Sequence, residues 1–440
     1  MTSAPSELTR ATTAEFAFHA DEEGATLACS LDGGAYTLCT SPASYSGVAE
    51  GAHGFAVQAT DQAGNTDPTP AFHSWTIDTT PPETTISAAP KSQTTATSAS
   101  FAFSSGEEGA RFECSLDAAE FGACPVTGTY DELSVGLHSF QVRATDLAGN
   151  VETTPESRSW EILAGLLMAA GDIACKPGVA VTPTKCRHGD TSNLFMNEPE
   201  LTNVLALGDL QYEDACYSDF MGTGAYNDTW GRKKAITNPV PGNHEYHDPA
   251  LCVPVGPGYF QYFGLAAGDP TRGYYSFDLG PWHLIALNSE IPVGPSSPQA
   301  AWLTQDLAAT TAPCILAYWH KPRFSSGSHG SSTSFVQLWS ALYEKRADLV
   351  LNGHDHDYER FAPQKPTGEP DDINGVTEFV VGTGGASLTA FNPTPEPNSV
   401  ERSATDFGVL KLTLHASSYD WEFVPVAGGS YTDHGSASCH

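Results

Sequence analysis

The chain is predicted to be multidomain: two all-β repeats, then an α/β domain built as a two-sheet β sandwich flanked by helices. Three observations carry that reading. A segment of 85 residues occurs twice within the first 163 residues. From about residue 164 the pattern shifts to short apolar runs interleaved with helically spaced segments, which signals strands and helices sharing one sheet-based domain. Five of those runs end in Asp, Asn or His. A chain of 440 residues needs more than one core, and the boundaries are placed at 1–79, 80–163 and 165–440.

The repeat keeps one offset throughout. FAF at 16–18 recurs at 101–103, CSLD at 29–32 recurs at 114–117, and SW at 74–75 recurs at 159–160. ATDQAGN at 59–65 returns as ATDLAGN at 144–150, again 85 residues on. Stretches such as HSFQVRAT alternate polar and apolar residues between Asp/Gly/Asn turns, the period of half-buried strands. Cys29 and Cys39, like Cys114 and Cys124, stand ten residues apart, compatible with one small-loop disulfide per copy. The counterpart of TPPETTI at 80–86 falls at or before residue 1, so the first copy is expected to lack its leading strand, as a truncated start would leave it. CSLD, the ATDxAGN turn and the TPP linker resemble bacterial immunoglobulin-like modules of secreted proteins. That resemblance implies two immunoglobulin-like sandwiches serving as a spacer or display stalk, with cell-wall or glycan contact as the alternative. DQAGN and DLAGN are read as Asx turns closing hairpins rather than as calcium loops. His19, His53, His73 and His138 belong to the repeats and are assigned no catalytic role.

A net charge of −32 argues against nucleic acid or an anionic membrane as partner, because both demand clustered Lys and Arg. Residues 1–163 hold 5 basic and 22 acidic side chains, so the repeats read as a strongly solvated module. No apolar stretch approaches the roughly 18–20 residues needed to span a bilayer. Ten cysteines in local pairs point to an oxidising compartment. The first twenty residues contain no signal-peptide core, so export is expected from a longer start.

In the second half, LLMAAGD ends at Asp172, VLALGDLQY at Asp209 and Tyr212, and NPVPGNHE at Asn243 and His244. CILAYWH ends at His320, and LVLNGHDH at His354 and His356. Buried parallel strands read as short continuous apolar runs, and open α/β sheets gather ligands beyond the strands' carboxyl ends. These groups are therefore expected at one edge of a sheet. Carboxylate, amide, phenol and imidazole together suit two metal ions, with Asp209 bridging. SPQAAWLTQDLAA at 297–309 predicts a helix capped by Ser297, with Pro298 at its first position. SFVQLWSALYEKRA at 334–347 predicts a second helix, and 273–288 and 408–426 read as hairpins. The segments 176–199, 213–232 and 386–405 read as loops walling the pocket.

The series GD(172), GDxxY(209–212), GNHE(242–245), His320 and GHxHxYER(353–360) resembles the calcineurin-like metallophosphoesterase superfamily, and within it the purple acid phosphatases. The likeness covers essentially all of 165–440. Other branches carry a histidine two residues after the first Asp; Ala174 stands there, and Tyr212 is the replacement ligand of the purple branch. The resemblance implies Asp172, Asp209, Tyr212 and His356 on a ferric ion. It implies Asp209, Asn243, His320 and His354 on a divalent zinc, manganese or iron. It further implies a secreted hydrolase that cleaves small phosphate monoesters by attack of a metal-bound hydroxide, with His244 and His329 beside the substrate. One alternative is a phosphodiesterase or nucleotide hydrolase with manganese or zinc in the same site. The other is a wall- or glycan-binding surface protein with a decayed hydrolase domain.

Weaker signals complete the reading. Arg323 reads first as a surface salt bridge, with a phosphate contact as the alternative, and His247 and Asp248 are candidate partners behind the ligands. Tyr358, Glu359 and Arg360 are expected to brace the histidine loop, and VGTGGA at 381–386 to turn at the site rim. His283 reads as a satisfied core histidine. Cys175, Cys186, Cys216, Cys252, Cys314 and Cys439 allow fifteen pairings. Proximity suggests 175–186 and 216–252, leaving 314 for 439.

Overall fold

The computed structural model describes residues 1–247, 252 and 258–440. The chain divides into two compact units. One comprises Met1–Ser92, Ser98–Leu133 and Leu137–Trp160; the other comprises Gln93–Thr97, Ser134–Gly136 and Glu161–His440. All ten cysteines are paired, as 29–39, 114–124, 175–186, 216–252 and 314–439.

The first unit contains the two repeats, both all-β. In the first copy, strands Leu8–Thr9, Ala71–Ile77, Gly51–Thr60, Thr26–Leu31 and Thr37–Leu38 form one sheet in that order. Strand Thr13–Phe16 pairs with Ala43–Ser46. The alternation puts Phe16, Phe55 and Trp75 inside, with Phe16 stacked on Phe55 at 4.0 Å between ring centroids. The second copy repeats that core with Phe101, Phe140 and Trp160, the first two stacked at 3.9 Å. His53 and His138 each bond an aspartate, Asp32 and Asp117, so they are structural. Where the second copy has strand Thr84–Ala88 against Ala99–Ser105, the first has an isolated bridge, Ser3 to Ala17.

In the second unit the strands are β1 (Gly165–Ala170), β2 (Asn203–Leu207), β3 (Thr237–Val240), β4 (Tyr275–Leu279), β5 (Trp282–Ala286), β6 (Cys314–Tyr318) and β7 (Leu349–Asn352). They continue as β8 (Tyr358–Phe361), β9 (Thr377–Val381), β10 (Ser399–Ser403), β11 (Gly408–Leu414), β12 (Ser418–Pro425) and β13 (His434–Ser438). Three helices matter here: α1 (His188–Met196), α2 (Pro298–Ala309) and α3 (Val336–Glu344). One sheet has the order β3-β2-β1-β11-β12-β13 and the other β4-β5-β6-β7-β9-β8-β10. β1, β2 and β3 run parallel, as do β5, β6, β7 and β9. β4–β5 and β11–β12 are the expected hairpins.

The two sheets pack face to face. Leu205, Leu207, Leu410 and Leu412 of one share a core with Leu284, Leu316, Leu351 and Phe379 of the other. The alternate residues of the second sheet, Ile285, Ile315, Ala317, Val350 and Val380, turn the other way. There they meet Leu303 and Leu307 of α2 and Leu338, Trp339 and Leu342 of α3. A strand buried on both faces is apolar at every position, which is why these strands appear as unbroken hydrophobic runs. Ser297 caps α2 by accepting from the Ala300 N–H, with Pro298 at the first turn.

Two expectations are corrected. The ligand-bearing runs do not share one sheet edge: β1, β2 and β3 lie in the six-stranded sheet, β6 and β7 in the seven-stranded one. Period and apolarity specify that a strand is buried but not which partner it pairs with. Residues 176–199 are not a plain loop, since α1 lies within them; it buries His188, Thr191, Ser192 and Phe195, a mostly polar stripe that hydropathy does not reveal. Among the described residues, no helix is long and apolar enough to cross a membrane.

Candidate functional site

Each apolar run ends where its strand does, and the chain turns sharply there. Asp172 follows β1 and Asp209 follows β2; Asn243 and His244 follow β3; His320 follows β6; His354 and His356 follow β7. Asp172, Asp209 and His354 adopt left-handed backbone, at φ 58°, 50° and 71°. That conformation costs roughly 1–3 kcal/mol per non-glycine residue and persists only where the surroundings impose it. Close approach explains the glycines before the ligands. A Cβ on Gly242 would lie 2.3 Å from Asp209 Oδ1, and one on Gly353 would lie 2.8 Å from Asp172 Oδ2.

Six of the seven predicted ligands converge from both sheets and sort into two sets around Asp209. In the first, the Tyr212 hydroxyl lies 2.9 Å from Asp172 Oδ1, 3.0 Å from His356 Nε2 and 3.3 Å from Asp209 Oδ2. In the second, His320 Nε2 lies 3.3 Å from Asp209 Oδ2 and 3.2 Å from His354 Nδ1. Asp209, His320 and His354 each offer a ligand atom within 4.8 Å of the others. Asn243 Oδ1 is buried with no hydrogen-bond partner among the described residues.

The fit to a pair of cations can be judged from this donor set. His320 Nδ1 donates to the Leu207 carbonyl at 2.8 Å, which leaves a lone pair on Nε2 in the neutral ring. His356 Nδ1 is held by the Ser387 carbonyl at 3.1 Å and its hydroxyl at 3.0 Å, which turns Nε2 inward. One phenolic proton cannot satisfy two carboxylates and an imidazole at once, and Asn243 presents a further acceptor. Buried acceptors facing each other are costly unless something positive lies between them. The residues present fit two metal ions.

The charges point the same way. Burial raises the Tyr212 phenol well above its ordinary range, and Asp172 and Asp209 push it further. Burial opposes charge on Asp209 as well, yet His320 and His244 hold it well below the usual carboxylate range. Burial disfavours a charged His320, but Asp209 and Asp172 overcome that and push it up to about 10. His354 moves oppositely, to about 3, through burial and the charge of His320.

His244 and His329 flank the two sets. The His244 ring packs 4.3 Å from Tyr212, gives Nδ1 to the Glu213 carbonyl, and places Nε2 3.7 Å from Asp209 Oδ2. The His329 ring lies 4.3 Å from His354, and its side chain is 49% exposed. His247 packs 4.4 Å from His244 and meets Asp214 at 3.4 Å, while Asp248 lies outside the described residues. Arg323 does not face the site. It is buried, its guanidinium donates to the Pro366 carbonyl and covers the Phe324 ring, and its backbone N–H is held by Glu378. Residues 381–386 are buried beneath Asp172 rather than at the rim, with the Ala386 N–H donating to the Asp172 carbonyl. Tyr358 and Arg360 both reach Asp433, Glu359 accepts from Ser326, and His283 bonds Asp278 and Asp306.

Sequence reasoning missed three groups. Glu245, buried and pushed up to about 7 by burial and Asp209, accepts from the N–H groups of Asp209 (2.9 Å), Leu210 (2.9 Å) and Gly242 (2.7 Å). It ties the turns after β2 and β3 together; its only signal was an acid inside GNHE. Ser387 orients His356 and carried no signal. Asp355 binds the His329 loop and stood unnoticed between two ligand histidines.

Residues 169–358 match the model of the calcineurin-like phosphoesterase family. Purple acid phosphatase 15 of Arabidopsis thaliana is 31% identical over 199 residues, 38% of this chain and 37% of that protein. Purple acid phosphatase 13 of the same plant is 27% identical over 266 residues, 51% of this chain and 48% of that protein. The chain thus spans less than half the length of these relatives. A purple acid phosphatase structure from yellow lupin (Lupinus luteus) aligns over 99% of this chain and 95% of its own, at 16% identity and TM-score 0.49, a likeness too slight to add weight.

Proposed function

We propose that this chain, which carries a calcineurin-like phosphoesterase domain over residues 169–358, is a hydrolase of phosphate monoesters with a dinuclear metal centre. Asp172, Asp209, Tyr212, Asn243, His320, His354 and His356 are the ligands in this reading. The observation that carries it is the sorting of six of those groups into two sets that share Asp209, with Asn243 on the turn after β3 offering a buried Oδ1 unpartnered among the described residues. A phenol and two carboxylates suit a hard ferric ion, whereas imidazoles and an amide suit divalent zinc, manganese or iron.

A cation pair supplies Lewis acidity to the phosphoryl group and an activated water as nucleophile. The chain's residues do the rest. Asp209 holds the two ligand sets in register, and Glu245 holds Asp209 and the Asn243 turn in register with each other. His244, with Nδ1 tied to a carbonyl, has only Nε2 free to donate to a phosphoryl oxygen. His329 faces the same space from the His354 side and is placed to give a proton to the departing oxygen. Five disulfides with no free thiol support export to an oxidising compartment. The repeats then act as a spacer.

The test is hydrolysis of an aryl phosphate by the purified chain, with metal analysis. Activity is expected, together with two metals per chain and a visible absorption band that Tyr212→Phe abolishes. A colourless, fully metallated protein that prefers diesters would favour the phosphodiesterase alternative. A metal-free, inactive one would sink both.

A further inference from the structure

We propose that Asp355 is a positioning residue that sets the His329 imidazole in place to protonate the leaving group; this rests on the phosphomonoesterase reading above. Asp355 is 0% exposed, and its carboxylate is filled by the loop that carries His329. Oδ1 accepts from the His329 backbone N–H at 2.7 Å and from His329 Nδ1 at 3.1 Å. Oδ2 accepts from the Ser325 hydroxyl at 2.6 Å and the Gly330 N–H at 3.3 Å. Gly327 passes so close that a Cβ there would lie 2.2 Å from Asp355 Cγ.

Two more buried carboxylates hold the rest of the loop. Glu378 accepts from the N–H groups of Arg323 and Phe324, and Glu359 accepts from the N–H and hydroxyl of Ser326. The segment 354–357 is a series of tight bends, with His354 in left-handed backbone and the N–H groups of Asp355 and Asp357 donating to the Gly353 and Asp355 carbonyls, before the strand at Tyr358 begins. His354 and His356 reach the ligand cluster, whereas Asp355 and Glu359 reach the loop of residues 325–330. One segment thereby places two ligands and the group poised beside them.

The chemical consequence follows from the ring. With Nδ1 committed to Asp355, Nε2 is the nitrogen of His329 free to meet substrate. As the bond from phosphorus to the leaving oxygen breaks, its electron pair goes to that oxygen, which takes the proton from Nε2. The ring is left neutral with Nδ1–H still on Asp355, and phosphorus keeps the oxygen gained from water. A misplaced ring fails this transfer without altering how phosphate binds.

The experiment uses the full chain loaded with zinc and labelled with 15N-histidine. An exchange-protected Nδ1–H resonance that disappears in His329→Ala is expected in the wild type and is expected to be lost in Asp355→Ala. Turnover is compared on an aryl phosphate, whose leaving group needs no proton, and an alkyl phosphate, whose leaving group does. Asp355→Ala is expected to lower kcat on the alkyl ester about tenfold and on the aryl ester by less than about twofold. Combining it with His329→Ala is expected to add nothing. Equal losses on both esters, additive losses, or a wild-type His329 without the protected proton overturn the proposal. That last reading stands even if Asp355→Ala fails to fold. A wild type inactive on both esters defeats the phosphomonoesterase reading instead, and the resonance alone then judges Asp355.

Discussion

Glu245 offers the most quantitative test of how the site is built. Its carboxylate is the acceptor for three buried backbone N–H groups, those of Asp209, Leu210 and Gly242. Glu245→Ala removes the acceptor and leaves the three donors facing a void. An orphaned buried donor costs about 1–3 kcal/mol, so three cost about 3–9 kcal/mol. The lower end is the better figure. Burial and Asp209 already disfavour the charged carboxylate, pushing it up to about 7, and a water entering the void would satisfy part of the set. About 3 kcal/mol in a domain of this size corresponds to a fall in Tm of about 6–12 °C. The assay is calorimetry on chelator-treated protein, so that metal binding does not contribute. Glu245→Gln, which keeps an oxygen for some of the donors, is expected to lose less than half as much. Metal content of the reconstituted Ala variant is expected to fall too, because the Asp209 and Asn243 turns lose their common anchor. A Glu245→Ala protein that melts within about 2 °C of wild type would refute the reasoning.

Three further outcomes follow from other parts of the molecule. Asn243 Oδ1 makes no hydrogen bond among the described residues, so Asn243→Ala is expected to change metal-free stability by less than about 1 kcal/mol while lowering turnover at least about a hundredfold; a large loss of metal-free stability would contradict this. Burial lowers the pKa of His283, but Asp306 and Asp278 more than compensate, so its folded value lies above the unfolded one. The stabilisation is therefore fully present below about pH 6.5 and is lost as pH rises through the folded value. His283→Gln is expected to narrow the Tm difference between about pH 6 and about pH 9, and an unchanged difference tells against it. The Cys314–Cys439 bridge closes a loop of 125 residues, so replacing both cysteines by serine is expected to cost about 5 kcal/mol by denaturant unfolding. A cost below about 1 kcal/mol would mean that the C-terminal strand is secured without it.

The parts of the fold legible in the sequence are the local ones. β1, β2, β6 and β7 were visible because strands buried on both faces are mostly apolar, while β3, which carries Thr237 and Asn238, was visible mainly through the turn that follows it. Ser297 and Pro298 announced α2 because capping chemistry is a matter of adjacent residues. The 85-residue repeat predicted a duplicated core, and Phe16, Phe55 and Trp75 recur as Phe101, Phe140 and Trp160. α1 went unread because its buried stripe is largely polar. Arg323 was misjudged for a related reason: a cation two residues past a turn can point either way, and the acceptors that decided it, Pro366 and Glu378, lie far along the chain.

By itself the sequence singled out the candidate ligand side chains, the order in which they come, and their place just beyond strand ends. Periodicity and turn chemistry act over a few residues, so they survive reading one residue at a time. Tertiary structure alone decided that the ligands arrive from two facing sheets, that Glu245 joins two of their turns, and that Asp355 grips the loop of His329. Those outcomes depend on which distant donor meets which buried acceptor, and only the packed chain brings them within hydrogen-bond reach.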